Sequence, residues 1–232
     1  LDGARVRNLA NLGAARASLQ MGAMQEAIRF AQQVDAGFEE SVYRSDNSAR
    51  EQNIIGVQWS TTGQWLSVDP AFQFLGDPRV RHTRQPRTGL NARPIYVPYR
   101  PLMYQGYDST VTEQIVELST SVRFATALEA RYIIAEASGP TAATLAFVNE
   151  RRAVGKQSAV SVSGDALMAA LREQRARDFF MAVQRHGDLR RYLALYGLDL
   201  FPTGKYPVTD ELYGDARCFI IPLSESGANP NL

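Results

Sequence analysis

The sequence has little cysteine, lysine or histidine, and no long apolar run. Its one cysteine, Cys218, permits neither an internal disulfide nor a cysteine-based zinc site. Cys218 stands in the apolar run 218–221, where a free thiol behaves as a small buried hydrophobe. The two histidines, His82 and His186, are far apart and show no metal-ligand spacing, and His82, flanked by Arg, reads as a surface residue. No apolar stretch approaches the roughly 20 residues of a membrane-spanning helix. The net charge is +1, so bulk electrostatics selects no partner. The phosphate loop, the G-x-G-x-x-G turn, the G-x-S-x-G elbow and the H-E-x-x-H helix are all missing. We therefore expect no metal, no cofactor and no catalytic residue. What is present is ordinary globular composition, 45% hydrophobic and 21% charged over 232 residues. A chain of this size hides roughly 70% of its unfolded surface. Lysine is nearly replaced by arginine, with Lys156 and Lys205 the two exceptions, and arginine suits buried ion pairs.

Periodicity predicts an all-α protein, mostly helical with long loops. The spacing predicts helices at 4–20 and 23–36, punctuated by Gly22. Small residues at Ala15, Ser18, Gly22, Ala27 and Ala31 give this 1–36 segment the look of a tetratricopeptide-like pair. Alone, such a pair would leave an apolar face uncovered. Residues 37–120 hold frequent Gly, Pro, Ser and Asn, and read as loops with short helices or strands. Helices return at 121–138 and at 141–154, the second with Thr141 as cap and Gly155 past its end. A third starts near Asp165 and is interrupted at Gly187; a fourth runs to Gly197. These fill 121–197, and 198–232 reads as a tail wrapping back over the bundle. The chain opens inside a helical pattern with no initiator Met or signal peptide, so we expect it to begin within a longer protein.

Aromatic residues are the leading candidates for binding. Trp59, Trp65, Tyr96, Tyr99, Tyr104 and Tyr107 lie in the loop-rich segment, off any helical stripe. Each ring offers a flat apolar face and a polar edge, the combination that a sugar ring needs. The same segment carries Arg79, Arg81, Arg84, Arg87, Arg93 and Arg100. This basic run with tyrosines resembles a single-strand binding surface, but no nucleic-acid motif accompanies it, and we expect no nucleic-acid partner. Carboxylate pairs such as Glu39/Glu40 and Glu113/Glu117 read as solvated faces rather than a glycosidase pair. Glu129, Glu136, Glu150, Arg131, Arg151, Arg175 and Arg177 read as ion pairs between helices.

Five blocks then occur in a fixed order: LEARYIIAEA at 128–137, VNERR at 148–152, LREQRARDFF at 171–180, RHGDLRRY at 185–192, and IIPLSE at 220–225 with NPNL at 229–232. With DPRV at 77–80, they resemble the RagB/SusD family of bacterial outer-membrane nutrient-uptake lipoproteins. The resemblance implies a single SusD-like domain over 1–232, N-terminally incomplete, built on a helical scaffold with tetratricopeptide-like pairs. It implies a lipid-anchored protein on the extracellular face of the outer membrane. Its partners would be a SusC-like TonB-dependent transporter and an oligosaccharide. The family's ligand residues lie on variable loops, so the resemblance transfers none. It does imply structural roles for Arg185, Asp188, Arg190, Arg191, Asn229 and Pro230. Asp188→Ala should then cost roughly 1–3 kcal/mol of stability, read by denaturant unfolding, without a selective loss of binding. One departure stands out: Ala182-Val183 replace a Glu-Gly common before the RHGDLRRY block, which should change how the preceding helix ends. The expected function is non-catalytic glycan capture. Alternatives are a structural or self-assembling surface protein on the same helical scaffold, motivated by the missing N-terminal half, and a glycan-cleaving enzyme.

Overall fold

A computed structural model describes residues 2–60, 67–88, 94–111, 113–206 and 211–217. Among these, seven α-helices and two small two-stranded sheets account for the regular structure. Helix α1 spans Gly3–Gln20 and α2 spans Met24–Ala31. Between them Gly22 sits at φ +76°, a left-handed turn that glycine adopts without strain. Leu12, Ala15, Leu19, Ala27 and Ala31 are buried between the two helices, the alanines letting the backbones approach. The second helix is shorter than 23–36. After Ala31 the chain turns, and Asn8 holds Asp35 by two hydrogen bonds, to its backbone at 2.9 Å and its carboxylate at 2.8 Å. The apolar side of the pair is covered within the chain by Ala130 and Ile133 of the next long helix.

Residues 121–138 are not one helix. Strand β4, Val122–Thr126, pairs antiparallel with β1, Glu39–Val42, and only then does α4 run from Ala127 to Ser138. Pairing with β1 fixes the strand at 122–126, and the β-branched Val122 and Thr126 at its ends suit it. Thr126 is both its last residue and the helix cap, its hydroxyl accepting from the Glu129 amide at 3.2 Å. Helix α5, Ala142–Val154, has the expected Thr141 cap and ends at Gly155. Helix α6 spans Gly164–Asp178, with Ser163 rather than Asp165 at the cap position. Tyr132, Phe147, Val148, Leu167, Leu171 and Phe179 form the core where α4, α5 and α6 meet. The short helix α3, Ile54–Ser60, and the β2–β3 ribbon, His82–Thr88 with Pro94–Pro98, lie in the loop-rich segment. Val68, Val80 and Phe180 form a smaller core there, with Phe72, Tyr96 and Met181 packed against it.

Gly187 does not break the chain; it lies inside α7, Arg185–Tyr196, which ends at left-handed Gly197. The break falls at 179–184, where Met181 (φ 61°) and Val183 (φ 64°) take left-handed conformations. A β-branched residue there is strained. Val183 is 92% exposed, so its side chain returns little packing energy. Val183→Gly should raise stability by about 1 kcal/mol, after subtracting the extra entropy of the unfolded glycine. Thermal unfolding would show this as a rise of about 2–4 °C; an unchanged or lower midpoint would mean the side chain is needed where it stands.

Two buried charge clusters tie these elements together. In the first, Arg79 is fully buried and donates to both oxygens of Asp77 (2.9 and 2.6 Å), to Asp178 (2.8 Å) and to Gln174 (2.8 Å). Arg151 donates twice to Asp178, at 2.7 and 3.0 Å, and the Tyr132 hydroxyl donates to the same carboxylate. Gly155 leaves room for this, since a Cβ there would lie 2.3 Å from an Arg79 nitrogen. In the second cluster Arg191 donates to both oxygens of Glu136 (2.8 and 2.9 Å) and to Asp188 (2.9 Å), which also accepts from Arg175 at 2.8 Å. Arg185 is half-buried and Arg190 exposed, so Asp188 and Arg191 make this tie. Because Asp188 neutralises two buried arginines, its loss falls at the upper end of the range given above. Asn229, Pro230 and Cys218 lie outside the described residues.

Candidate functional site

The Asp77 turn places one end of the loop-rich segment. Asp77 Oδ1 accepts from the Arg79 amide at 3.0 Å and caps the short helical turn Pro78–Val80. Burial works against ionisation of Asp77, but the hydrogen bonds and charge of Arg79 overcome it and hold the carboxyl below its usual range. Burial likewise opposes the charge on Arg79, and Asp77 and Asp178 more than restore it. This turn therefore has a fixed floor. From it the chain runs directly into β2, which carries His82 and Arg84.

Above the turn opens a cleft of about 750 Å³. Phe74, His82 and Tyr96 stand at its wall with ring centroids 5.0, 5.4 and 5.5 Å apart, each pair edge to face. Edge-to-face packing is the favoured aromatic arrangement, so the three rings hold one another in place. Phe74 is nevertheless 76% exposed, and its backbone is left-handed at φ 56°. A large apolar ring kept in water by a strained backbone points to a use for its free face. Tyr99, Arg81, Ser109, Thr110 and Lys156 complete the lining that matters chemically. Arg81 closes the far side, donating to the carbonyls of Pro78 (3.1 Å), Asp108 (2.9 Å) and Val111. Aromatic faces, hydroxyls and cationic donors together suit a ring-bearing, hydroxylated ligand.

The six aromatic residues expected at a site separate. Tyr96 and Tyr99 reach the cleft. Tyr104 is buried, 1% exposed, and its hydroxyl donates to the Met181 carbonyl at 3.0 Å, so it serves the core. Burial pushes its hydroxyl up to about 12. The Tyr107 hydroxyl is also buried, and that burial raises its pKa. Trp65 and the side chain of Trp59 lie outside the described residues. Phe74, His82 and Lys156 were not expected there. The one local signal for Phe74 is Gly76 just after it, at φ +67°, marking the turn that presents the ring.

The basic run is dispersed rather than displayed. Arg79 is wholly internal, Arg81 is spent on carbonyls, and the Arg100 side chain, 11% exposed, lies 3.6 Å from Glu117. Arg93 and the side chain of Arg87 fall outside the described residues. Glu39 pairs with Arg123 at 2.9 Å and Glu40 with Arg5, so each carboxylate of this pair is held by a cation. A second cavity, of about 320 Å³, is lined by Arg16, Glu129, Arg175, Asp188 and Arg191; each arginine is ion-paired, Arg191 also with Glu136, while one buried Arg175 nitrogen has no hydrogen-bond partner. Among the described residues no group of three or more His, Cys, Asp or Glu could hold a metal ion, and no helix is long and apolar enough to cross a membrane. No family model, curated protein or solved structure matches the chain.

Proposed function

We propose that this chain is the non-catalytic glycan-capture component of a bacterial outer-membrane uptake system. It takes an oligosaccharide in the cleft above Asp77 and passes it to a SusC-like TonB-dependent transporter. The carrying observation is the exposed aromatic wall of Phe74, His82 and Tyr96 beside Tyr99, Ser109 and Thr110. A sugar ring stacks on such a wall while the hydroxyls of Tyr99, Ser109 and Thr110 take its polar edge. The RagB/SusD resemblance supplies the setting: a SusD-like scaffold with α1 and α2 as a tetratricopeptide-like pair, anchored by lipid on the extracellular face. The resemblance and the packing agree on one physical point. The blocks at 77–80, 128–137, 148–152, 171–180 and 185–192 contain Arg79, Glu136, Arg151, Asp178, Asp188 and Arg191, the members of the two buried charge clusters.

Native electrophoresis through gels containing soluble polysaccharides tests the reading. Retardation by a polysaccharide, strongly reduced by Phe74→Ala in a protein whose unfolding midpoint moves little, is the expected result. Mobility unaffected by every polysaccharide contradicts it.

A further inference from the structure

The charge around the cleft goes beyond what a neutral sugar needs. Three cationic side chains line it, Arg81, Arg84 and Lys156, against one carboxylate, Asp77. Asp77 is 2% exposed, and its oxygens accept from Arg79 and Arg177, so its charge is matched inside the protein. Arg81 is held by three carbonyl oxygens, which fix its guanidinium without neutralising it. Arg84 and Lys156 are exposed at the rim.

Lys156 is unusual in two respects. The chain carries Arg at nearly every basic position, yet keeps an ammonium here. It also holds that residue left-handed, at φ 55°, where glycine would be unstrained. Four non-glycine residues have positive φ among the described ones, and two of them, Phe74 and Lys156, line this one cleft. One presents a ring face and the other a compact positive charge. Both residues lie in turns, Lys156 at the left-handed position that closes α5, where its amide donates to the Ala153 carbonyl at 3.0 Å and that of Gln157 to the Arg152 carbonyl at 2.8 Å, and the two turns bring the ring face and the positive charge to one cleft.

We infer that the cleft takes an acidic glycan, one whose sugar ring lies on Phe74 and Tyr96 while its fixed anion faces Lys156 and Arg84. This rests on the glycan-capture reading and narrows it. A ring carboxylate and a sulfate ester share the chemistry required: a fixed negative charge beside an apolar sugar face. The cations stand at a solvent-open rim, so their contribution is modest and falls with salt.

Calorimetric titration of the full chain with two matched pairs of octasaccharides tests the inference. One pair is oligogalacturonate and its methyl ester; the other is a carrageenan-derived sulfated galactan octamer and its desulfated, neutral form. In at least one pair the acidic member should bind about fivefold more tightly at low salt, and the difference should close at high salt. The preferred pair tells carboxylate from sulfate. Arg84→Gln combined with Lys156→Gln should reduce the acidic member's affinity to that of its neutral counterpart, with the unfolding midpoint unchanged. Equal affinity within both pairs would overturn the inference and leave glycan capture standing. Failure of all four to bind would also overturn the inference, whereas glycan capture falls only if no polysaccharide retards the chain in the native gels.

Discussion

Replacing Asp178 by Ala should cost about 3–5 kcal/mol of stability. The carboxylate is fully buried and accepts from Arg79 at 2.8 Å, from Arg151 at 2.7 and 3.0 Å, and from the Tyr132 hydroxyl. Removing it leaves two buried guanidinium groups short of an anion and one buried hydroxyl without its acceptor. The orphaned charge, more than the lost attraction, sets the size of the effect. Set against a total stability of about 5–15 kcal/mol, the variant will be only marginally folded. Urea unfolding measures this, and Asp178→Asn, which keeps the shape and two oxygen or nitrogen sites, should lose less. A cost under about 1 kcal/mol for the alanine would mean that the cluster does not hold α4, α5 and α6 to the Asp77 turn. The cluster also bears on function. Arg79 anchors the turn from which Arg81 and His82 rise into the cleft, so Asp178→Asn should weaken ligand binding without touching the ligand.

The second large effect falls on binding. Phe74→Ala should weaken affinity for the captured glycan by about 30-fold, roughly 2 kcal/mol, the usual loss for an aromatic anchor at a binding site. Its stability should move little, and upward if anything moves. Phe74 is largely exposed and buries little on folding, while alanine at φ 56° removes a bulky ring from a strained position. Paired titration and thermal unfolding of the variant separate the two readouts. A fall in stability with unchanged affinity would identify the ring as packing for His82 and Tyr96 instead.

Local signals in the sequence located what is local in the fold. Thr141 and Gly155 bound α5, Gly197 ends α7, and Gly22 divides the first two helices, each by the backbone preference of that residue type. The failures have non-local causes. Strand β4 looks like the first turn of α4, because its partner β1 lies more than eighty positions earlier in the chain. The break between α6 and α7 contains no glycine, so Gly187 reads as the boundary, whereas Met181 and Val183 are the residues that take left-handed turns. Arg79 reads as one of a basic run, yet its partners Gln174 and Asp178 are supplied from α6. The cleft follows the same rule. Tyr96 and Tyr99 were found because aromatic residues in loop sequence are conspicuous, but Lys156 reaches them from the end of α5, and no spacing along the chain announces that.

The proposed function requires the chain to work with a transporter at a membrane surface. Gentle detergent extraction from the cells that make it, followed by mass identification of whatever migrates with it, tests this directly. The account predicts a large β-barrel transporter in the complex, recovered with the wild-type protein at a fixed ratio. Recovery of the chain alone, or of copies of itself with no barrel, would contradict it.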